Sequence, residues 1–338
     1  MREYTDYSLL KHNTFGIDAR CSRFVEFETE EEAADVARRY GTSAGPVLVV
    51  GGGSNLLLTH DYQGTVLHSA IKGHEVQECA DGSVLLRVGS GEVWDDVVAL
   101  CVERGWHGAE NLSLIPGEVG ASAIQNIGAY GAEACDIIYK VEAVEMGTGV
   151  FHTFDNAECC YGYRQSRFKQ DWRGRFLVTH VTYRLSRHFE PRLDYGNIRA
   201  ELEHRGIANP TPQQLRQTII AIRQQKLPDP AVQGNAGSFF MNPVVDRQVY
   251  ERLLLLHPQM PHYRVDEQHE KIPAGWLIEQ CGWKGRSMGR AGVHDRQALV
   301  LVNRGGATGQ EIVDLCHRVC ADVKERFGID LHPEVNIC

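Results

Sequence analysis

Three consecutive glycines, Gly51 to Gly53, directly follow the apolar, β-branched run Val47 to Val50. This pattern predicts a buried strand that ends in a turn without side chains. A Rossmann dinucleotide turn is excluded, because its G-x-G-x-x-G spacing would end at Leu56 and a strand-like run follows where that motif needs a helix. No Gly-Lys-Ser or Gly-Lys-Thr closes a Walker loop either. The run is therefore an anion-binding turn of backbone N–H groups, suited to a pyrophosphate, or an ordinary tight turn.

Local signals predict a chain that mixes helices and strands. Three threonines stand at helix starts with Glu or Gln three residues later, which is the capping-box pattern. The predicted helices are 30–40 after Thr29, 92–104, 212–226 after Thr211, and a last helix after Thr308. The predicted strands are 25–28, 47–50, 56–58, a hairpin over 76–88 around Asp81-Gly82, 141–145, 150–154, 176–185, and a short one near Val335.

The segment 111–131 is rich in glycine and nearly free of charge, and it is predicted to be a long loop. Disorder is disfavoured because lysine and arginine are almost absent from it. A structureless stretch of this length in a folded chain is usually functional. Its small residues, hydroxyls and amides suit a large planar cofactor, although they equally suit a packed irregular loop.

Length and charge narrow the class of protein. A chain of 338 residues exceeds what one hydrophobic core usually organises, which predicts two or three domains. No stretch approaches the roughly eighteen apolar residues of a membrane span, and the polar start lacks a secretory signal, so a cytoplasmic location is expected. The net charge of −9 disfavours a nucleic-acid partner. The ten cysteines lack zinc-finger spacing, so buried thiols and no metal site are expected.

Further polar residues are candidates for chemistry. Arg164 and Arg167 stand beside aromatic residues, where a guanidinium fork suits a carboxylate or phosphate, although an isolated arginine more often forms a surface ion pair. Ser238 is not a hydrolase nucleophile, because its surroundings lack the G-x-S-x-G elbow. It is interpreted as a hydroxyl that bonds or transfers a proton, or as a turn serine. Lys226 is interpreted as a partner for an anion, and Glu334 as a functional carboxylate. Either residue could instead be a solvated side chain.

Together these segments resemble the bacterial UDP-N-acetylenolpyruvoylglucosamine reductases, flavoenzymes that complete UDP-N-acetylmuramate for the cell wall. Each motif is modest alone, but their order and spacing are specific, and they span nearly the whole chain. The matching motifs are NTF at 13–15, GGGSN at 51–55, IPG at 115–117, QNIGAYG at 125–131, YGYRQSRFK at 161–169, KLPDP at 226–230, GNAGSFFMNP at 234–243 and PEV at 333–335.

The resemblance implies an α+β fold. An FAD-binding region of the vanillyl-alcohol-oxidase (PCMH) type would have two lobes, 1–70 and 71–225, with the strand 330–338 returning to the first, and 226–329 would form a smaller α/β substrate-binding domain. It assigns FAD binding to Gly51, Gly52, Gly53, Ser54, Asn55, Ile115, Pro116, Gly117, Ser122, Gln125, Asn126, Gly128 and Tyr130. It assigns catalysis to Arg164, Ser238 and Glu334, and further substrate contacts to Tyr163, Tyr195, Lys226, Asn242 and Gln297. Tyr195 resembles the tyrosine of the family's first structural type, whose loop folds over bound substrate.

The implied chemistry is the NADPH-dependent reduction of a UDP-sugar enolpyruvyl ether through FAD. Hydride would pass from flavin N5 to the β-carbon, Arg164 and Glu334 would stabilise the enolate, and Ser238 would protonate the α-carbon. Lys226 is the proposed charged neighbour of that serine. A monomer is also expected, and composition and charge predict no membrane or nucleic-acid partner.

Two alternatives stay open, an FAD-linked oxidase of the same superfamily and a non-catalytic nucleotide-sugar binding protein. Two positions depart from the family pattern. Ala123 stands where related sequences often have proline, and Asn336 stands where arginine is common, which leaves the packing of the C-terminal strand open.

Overall fold

The computed structural model describes residues 1–42 and 45–338. These residues form two compact units. Unit one comprises 1–7, 21–53 and 62–223, and unit two comprises 8–20, 54–61 and 224–338. Two short segments near the N-terminus thus belong to the unit that contains the C-terminal third of the chain. The three-part division with boundaries at 70 and 225 stays a prediction.

Helices and strands are mixed along the chain, which agrees with the predicted α+β class. The helices are α1 Glu30–Gly41, α2 Trp94–Arg104, α3 Val119–Gln125, α4 Ile198–His204, α5 Pro212–Lys226, α6 Arg247–Leu256, α7 Ala274–Gln280 and α8 Gly309–Phe327. Short 3-10 turns occur at Leu10–His12, Glu110–Leu112, Ala134–Asp136, Asn156–Cys159 and Arg167–Lys169. A helix with the length and apolar character of a membrane span is absent from the two described ranges.

The strands are mostly short. They are β1 Arg2–Ser8, β2 Arg20–Phe27, β3 Val47–Val50, β4 Leu56–Leu57, β5 Tyr62–Ser69, β6 His74–Glu78, β7 Val84–Gly89, β8 Gly128–Ala129, β9 Ala132–Glu133, β10 Ile138–Glu145, β11 Phe151–Asp155, β12 Phe176–Leu185, β13 Val244–Asp246, β14 Tyr263–Arg264, β15 His269–Lys271, β16 Ser287–Met288, β17 Ala291–Val293, β18 Leu301–Asn303 and β19 Asn336–Ile337. The predicted strands are confirmed, with bounds that differ by a few residues.

The glycine turn leaves a four-stranded sheet of unit one, with the order β1-β2-β5-β3. Strands β2, β5 and β3 run parallel, and their register places Glu26 beside His68 and His68 beside Val50. The chain crosses from β2 to β3 through α1, whose cap Thr29 accepts a 3.2 Å hydrogen bond from the N–H of Glu32. Side chains of β2, β5 and α1 share one hydrophobic cluster. This packing fixes the end of β3, and with it the start of the turn.

A five-stranded antiparallel sheet, β11-β10-β12-β7-β6, carries the larger core of unit one. The predicted hairpin of β6 and β7 turns at Asp81, whose carboxylate accepts a 2.9 Å hydrogen bond from the N–H of Ser83. Nearly every residue of the central strand β12 is buried. The ring of Trp94, on α2, meets Tyr183 of β12 edge-on at 5.4 Å between centroids, and its indole N–H donates to the carbonyl of Leu112 at 2.9 Å.

The segment 111–131 is not the structureless loop that was predicted, because it contains α3 and the hairpin of β8 and β9. No side chain caps the seven-residue α3. Its position is set by tertiary contacts instead. The N–H of Gly120 donates to the carbonyl of Ser90 at 2.8 Å, and a Cβ added at Gly120 would lie 2.9 Å from the Cβ of Ser90. Ala123, one of the two departures, is fully buried within this helix. Burial against a sheet stabilises such a helix, and local sequence patterns do not report it.

Unit two combines α8 with small antiparallel sheets, β13-β15-β14 and β16-β17-β18. The predicted capping box of Thr308 and Glu311 is confirmed, and the apolar face of α8 is buried. β19 pairs in parallel with β4, with Asn336 opposite Leu56. The N–H of Asn336 also donates to the carbonyl of Asn55 at 3.1 Å. The terminal strand therefore forms although asparagine replaces the usual arginine.

Candidate active site

The glycine turn after β3 lies against the backbone of Gly117 and the side chain of Glu118. A Cβ added at Gly52 would stand 3.4 Å from the Cα of Gly117, and one added at Gly51 would stand 3.1 Å from Oε2 of Glu118. Gly53 has a φ of +65°, where glycine is favoured. The turn thus lies close to these residues and carries no side chains of its own, which fits a site that binds an anionic cofactor through N–H groups.

Residues 115–118 are held in place by the start of α2. The carbonyl of Gly117 accepts a 3.0 Å hydrogen bond from the N–H of Trp94. Ile115 is half-buried against the core cluster, and Pro116 is exposed. The structure therefore brings two of the predicted FAD-binding motifs, GGGSN and IPG, side by side at Gly52 and Gly117.

Three polar residues were predicted to contact the cofactor. In the structure their side chains form hydrogen bonds with other parts of the protein. The hydroxyl of Ser122 is buried, 2.8 Å from the hydroxyl of Tyr183. Oε1 of Gln125 accepts a 2.8 Å hydrogen bond from Nζ of Lys169. The buried Asn126, with a φ of +48°, donates two 2.9 Å hydrogen bonds and accepts one of 3.0 Å. These side chains shape the segment, and their contact with a cofactor stays a prediction.

The hairpin of β8 and β9 turns through Tyr130 and Gly131, with φ values of +50° and +78°. Two positive φ angles are typical of a type I′ hairpin turn. Nδ2 of Asn111 donates to the carbonyl of Tyr130 at 2.8 Å. A Cβ added at Gly131 would lie 3.1 Å from the Cβ of Tyr195, and the next residue, Gly196, faces the ring of Tyr130. The structure thus brings together Tyr130 and Tyr195, predicted for FAD and substrate respectively.

Arg164 occupies a tight turn that two 3.0 Å backbone hydrogen bonds close between Gly162 and Gln165. Its φ is +57°. Nη2 donates to the carbonyl of Gly128 at 2.7 Å, and Nη1 donates to the carbonyl of Asn126 at 3.4 Å. Its Cζ lies 5.4 Å from the ring centroid of Tyr163. A half-buried guanidinium is therefore fixed beside the segment predicted to bind FAD.

Arg223 is a second cation near this arginine, and it was not predicted from the sequence. Its Nε donates to the carbonyl of Leu114 at 3.2 Å. Burial is the main cause that lowers the pKa of Arg223; Tyr130 and Asp95 oppose the effect, and the charge of Arg164 adds to it. Two guanidinium groups so placed favour an anionic ligand. A charged residue on the apolar face of an amphipathic helix, here α5, is the sequence signal that points to it.

Ser238 is exposed on a loop of unit two, two residues after buried Ala236 and directly before buried Phe239. Buried Asn235 organises the loop, because its Oδ1 accepts a 2.9 Å hydrogen bond from the N–H of Gly237 and its carbonyl accepts one of 2.6 Å from the hydroxyl of Thr14. Phe239 follows Ser238 and is fully buried. Anchors on both sides therefore present the serine hydroxyl at a defined place.

Glu334 lies next to this loop. Its N–H donates to the carbonyl of Phe239 at 2.8 Å, and an isolated antiparallel bridge extends the pairing. Nδ2 of Asn55, which follows Ser54, donates to the carbonyl of Glu334 at 3.2 Å. The carboxylate-bearing residue is half-buried. The structure thus places Ser238, Glu334 and Asn55 in one neighbourhood of unit two.

Two more predicted substrate residues meet at the start of α7. Oδ1 of Asn242 accepts a 2.9 Å hydrogen bond from the N–H of Ala274, and a Cβ added at Gly275 would lie 3.0 Å from Oε1 of Gln297. Lys226 is the half-buried last residue of α5, and its ammonium group makes no hydrogen bond within residues 1–42 and 45–338. Its role as a charged neighbour of the serine stays a prediction.

Two family models match this chain, and it is similar in sequence to known reductases. Residues 21–155 match the family described as FAD binding domain, and 229–338 match the C-terminal domain of UDP-N-acetylenolpyruvoylglucosamine reductase. The chain is 55% identical over 331 residues to the UDP-N-acetylenolpyruvoylglucosamine reductase of Bacteroides fragilis, with 98% of both chains covered. It is 48% identical over 334 residues to that of Azoarcus sp., covering 98% of this chain and 96% of the relative.

A solved structure shows the same fold. The crystal structure of UDP-N-acetylenolpyruvylglucosamine reductase from Thermus caldophilus matches with a TM-score of 0.68 at 23% identity, and the match covers 99% of this chain and 98% of that one. The predicted fold class, an α+β protein with an FAD-binding domain, is confirmed.

Proposed function

The chain belongs to the family of UDP-N-acetylenolpyruvoylglucosamine reductases, and we propose that it works through the residues described above. It is an FAD-dependent oxidoreductase that uses NADPH to reduce UDP-N-acetylglucosamine enolpyruvate to UDP-N-acetylmuramate, in peptidoglycan precursor synthesis. Separate groups of side chains would bind the cofactor, bind the substrate and move the proton.

FAD would be held by the glycine turn 51–53, by Ser54 and Asn55, and by Ile115, Pro116, Gly117, Ser122, Gln125, Asn126, Gly128 and Tyr130. The lack of side chains at Gly51 and Gly52 supports this assignment, because a pyrophosphate needs close approach to backbone N–H groups. When bound, FAD supplies to the substrate the hydride that it has taken from NADPH.

Arg164 would bind the carboxylate of the enolpyruvyl group. Its half-buried guanidinium is oriented by the carbonyl of Gly128, so it can form a two-pronged contact with a carboxylate without first losing rotational freedom. Reduction at the β-carbon places negative charge on the enolate, which a fixed guanidinium stabilises. Further substrate contacts are proposed for Tyr163, Tyr195, Lys226, Asn242 and Gln297.

Ser238 would donate a proton to the α-carbon, and Glu334 would stabilise the enolate through a shared proton. The hydrogen bond from the N–H of Glu334 to the carbonyl of Phe239 carries this proposal, because it sets the glutamate beside the residue that follows the serine. Ser238 is exposed, so its hydroxyl can regain a proton from water. A positioned donor of this kind contributes about 10²–10⁴ in rate.

We further propose that the protein acts as a cytoplasmic monomer. Experiments on the purified protein test both this state and the function. Gel filtration with light scattering should give a yellow peak with the mass of one chain. Under anaerobic conditions NADPH should bleach the colour, and UDP-N-acetylglucosamine enolpyruvate should restore it. A protein that stays colourless after incubation with FAD, or that only oxygen reoxidises, would contradict the assignment.

A further inference from the structure

His68 lies between two carboxylates on the parallel sheet of unit one. Its Nδ1 is 3.0 Å from Oε2 of Glu26 on β2, and its Nε2 is 3.2 Å from Oε1 of Glu118. The exposed fractions of the three side chains are 12%, 17% and 15% in the order His68, Glu26, Glu118. The second oxygen of Glu118 is the atom that a Cβ at Gly51 would approach to 3.1 Å. A single carboxylate therefore touches both the histidine and the glycine turn.

Hydrogen-bond chemistry defines the charge of this histidine. A neutral imidazole has one N–H and one lone pair, whereas the imidazolium has two N–H groups and can donate to both carboxylates. Burial lowers the pKa of His68, but the hydrogen bonds and charges of Glu118 and then Glu26 outweigh it, so the pKa is raised. The trio is thus two carboxylates joined by one cation.

The two carboxylates differ in their other partners. Glu26 also has Arg2 nearby, with Nη1 3.4 Å from its Oε1. For Glu118, the ion pair with His68 is the only one within the described ranges. Loss of the imidazolium would leave Glu118 as an uncompensated, partly buried negative charge beside the turn, and such a charge repels an anion strongly where water is scarce.

We propose that His68 is a positioning residue for FAD, which neutralises Glu118 and so lets the glycine turn accept the pyrophosphate. The inference rests on the proposed cofactor site at 51–53. It explains how a glutamate is tolerated next to an anion-binding turn, and it assigns to a residue outside the family motifs a role in cofactor affinity.

The test is the dissociation constant of FAD, measured by flavin fluorescence on apoprotein of the full chain. His68→Gln removes the cation and keeps one donor, and we expect it to weaken FAD binding by about tenfold or more. The dissociation constant of FAD for Glu118→Gln should stay within about threefold of the wild-type value. The double variant, His68→Gln with Glu118→Gln, should also bind FAD within about threefold of wild type. If His68 had only a structural role, the losses in FAD affinity caused by the two single substitutions would instead add in the double variant.

A matched control is His107→Gln. His107 forms a similarly buried pair in unit one, with Nδ1 2.8 Å from Oε1 of Glu110. This variant should bind FAD as wild type does. If it weakens FAD binding as much as His68→Gln, the effect is general destabilisation and the proposal fails.

Two further outcomes decide between this inference and the cofactor site on which it rests. Gly52→Val should weaken FAD binding whatever His68 does. If it does so while His68→Gln binds normally, only the inference is overturned; if Gly52→Val also binds normally, the site itself is wrong. Should His68→Gln fail to fold, the double variant decides, because recovery of folding and FAD binding supports the proposal and a second failure overturns it.

Discussion

At the scale of single residues, two of the three proposed catalytic residues, Arg164 and Ser238, lie at or beside a left-handed backbone conformation. Arg164 itself has a φ of +57°, and Ser238 follows Gly237, whose φ is +67°. A left-handed conformation costs a residue other than glycine roughly 1–2 kcal/mol, so the surrounding contacts must hold it. For Arg164 these are the hydrogen bond to Gly128 and the closed turn from 162 to 165. Backbone strain that is held in this way is typical of functional sites, which supports a functional role for Arg164.

Replacement of Arg164 by lysine should impair the second half-reaction alone. A single ammonium group cannot bond the carbonyl of Gly128 and also grip a carboxylate with two prongs. We expect kcat/KM for the enolpyruvyl substrate to fall by about 10²–10³ in steady-state assays, while bleaching by NADPH keeps its rate. Arg167→Lys is the control, because Arg167 pairs with Asp171 at the surface. Equal losses in both variants would argue against a substrate contact.

Single-residue roles were predictable only in part. The proposed roles of Arg164, Ser238 and Glu334 come from short contiguous motifs that match the family, and they stay predictions. His68 contacts residues that are far away along the chain, so no local pattern singles it out, whereas Arg223 could have been found as a charged residue on the apolar face of α5.

At the scale of elements, local chemistry predicted α1, α2, α5 and α8, which are four of the eight helices, and nine of the nineteen strands that the described residues form. The caps at Thr29, Thr211 and Thr308 each bond the N–H three residues on, as their spacing indicated. α5 ends at Lys226, before the Pro-Asp-Pro stop. α3 was missed, because its stability comes from packing on β12 and Ser90 rather than from propensity.

The contact between α2 and α5 gives an element-scale prediction. Arg216 on α5 donates to both carboxylate oxygens of Asp95 on α2, at 2.7 and 3.0 Å. Burial raises the pKa of Asp95, but the hydrogen bonds from Arg216 and from the N–H of Leu114 outweigh it, so the pKa is lowered. The stabilisation is therefore complete above the pKa of the unfolded state and is lost as the pH falls through the lower folded-state pKa.

Asp95→Asn should lower the free energy of unfolding by about 2 kcal/mol at neutral pH, since the pair is partly buried. The difference from wild type should shrink in acid, where wild type also loses the charge. Urea titrations at both pH values measure this, with the exposed Asp96→Asn as control. A difference that persists unchanged in acid would show that the ion pair is not its source.

At the scale of the whole chain, the residues proposed for catalysis come from distant segments. Glu334 reaches the Ser238 loop by backbone pairing, and Asn55 joins them from the segment after the glycine turn. Long-range pairing of this kind leaves no periodic signal in a sequence. The order of motifs, matched to a family, predicted the group where the physical patterns alone could not.

Ser238 is proposed as the proton donor of the second half-reaction, and anaerobic stopped-flow spectroscopy of Ser238→Ala can separate that step from reduction of the flavin. Reduction of the flavin by NADPH should keep the wild-type rate. Reoxidation by UDP-N-acetylglucosamine enolpyruvate should slow by about 10²–10⁴, because the α-carbon loses its positioned acid. Ser287→Ala, at an exposed serine of unit two, should leave both rates unchanged. Wild-type rates in both half-reactions of Ser238→Ala would contradict the proposed role of Ser238 as the proton donor.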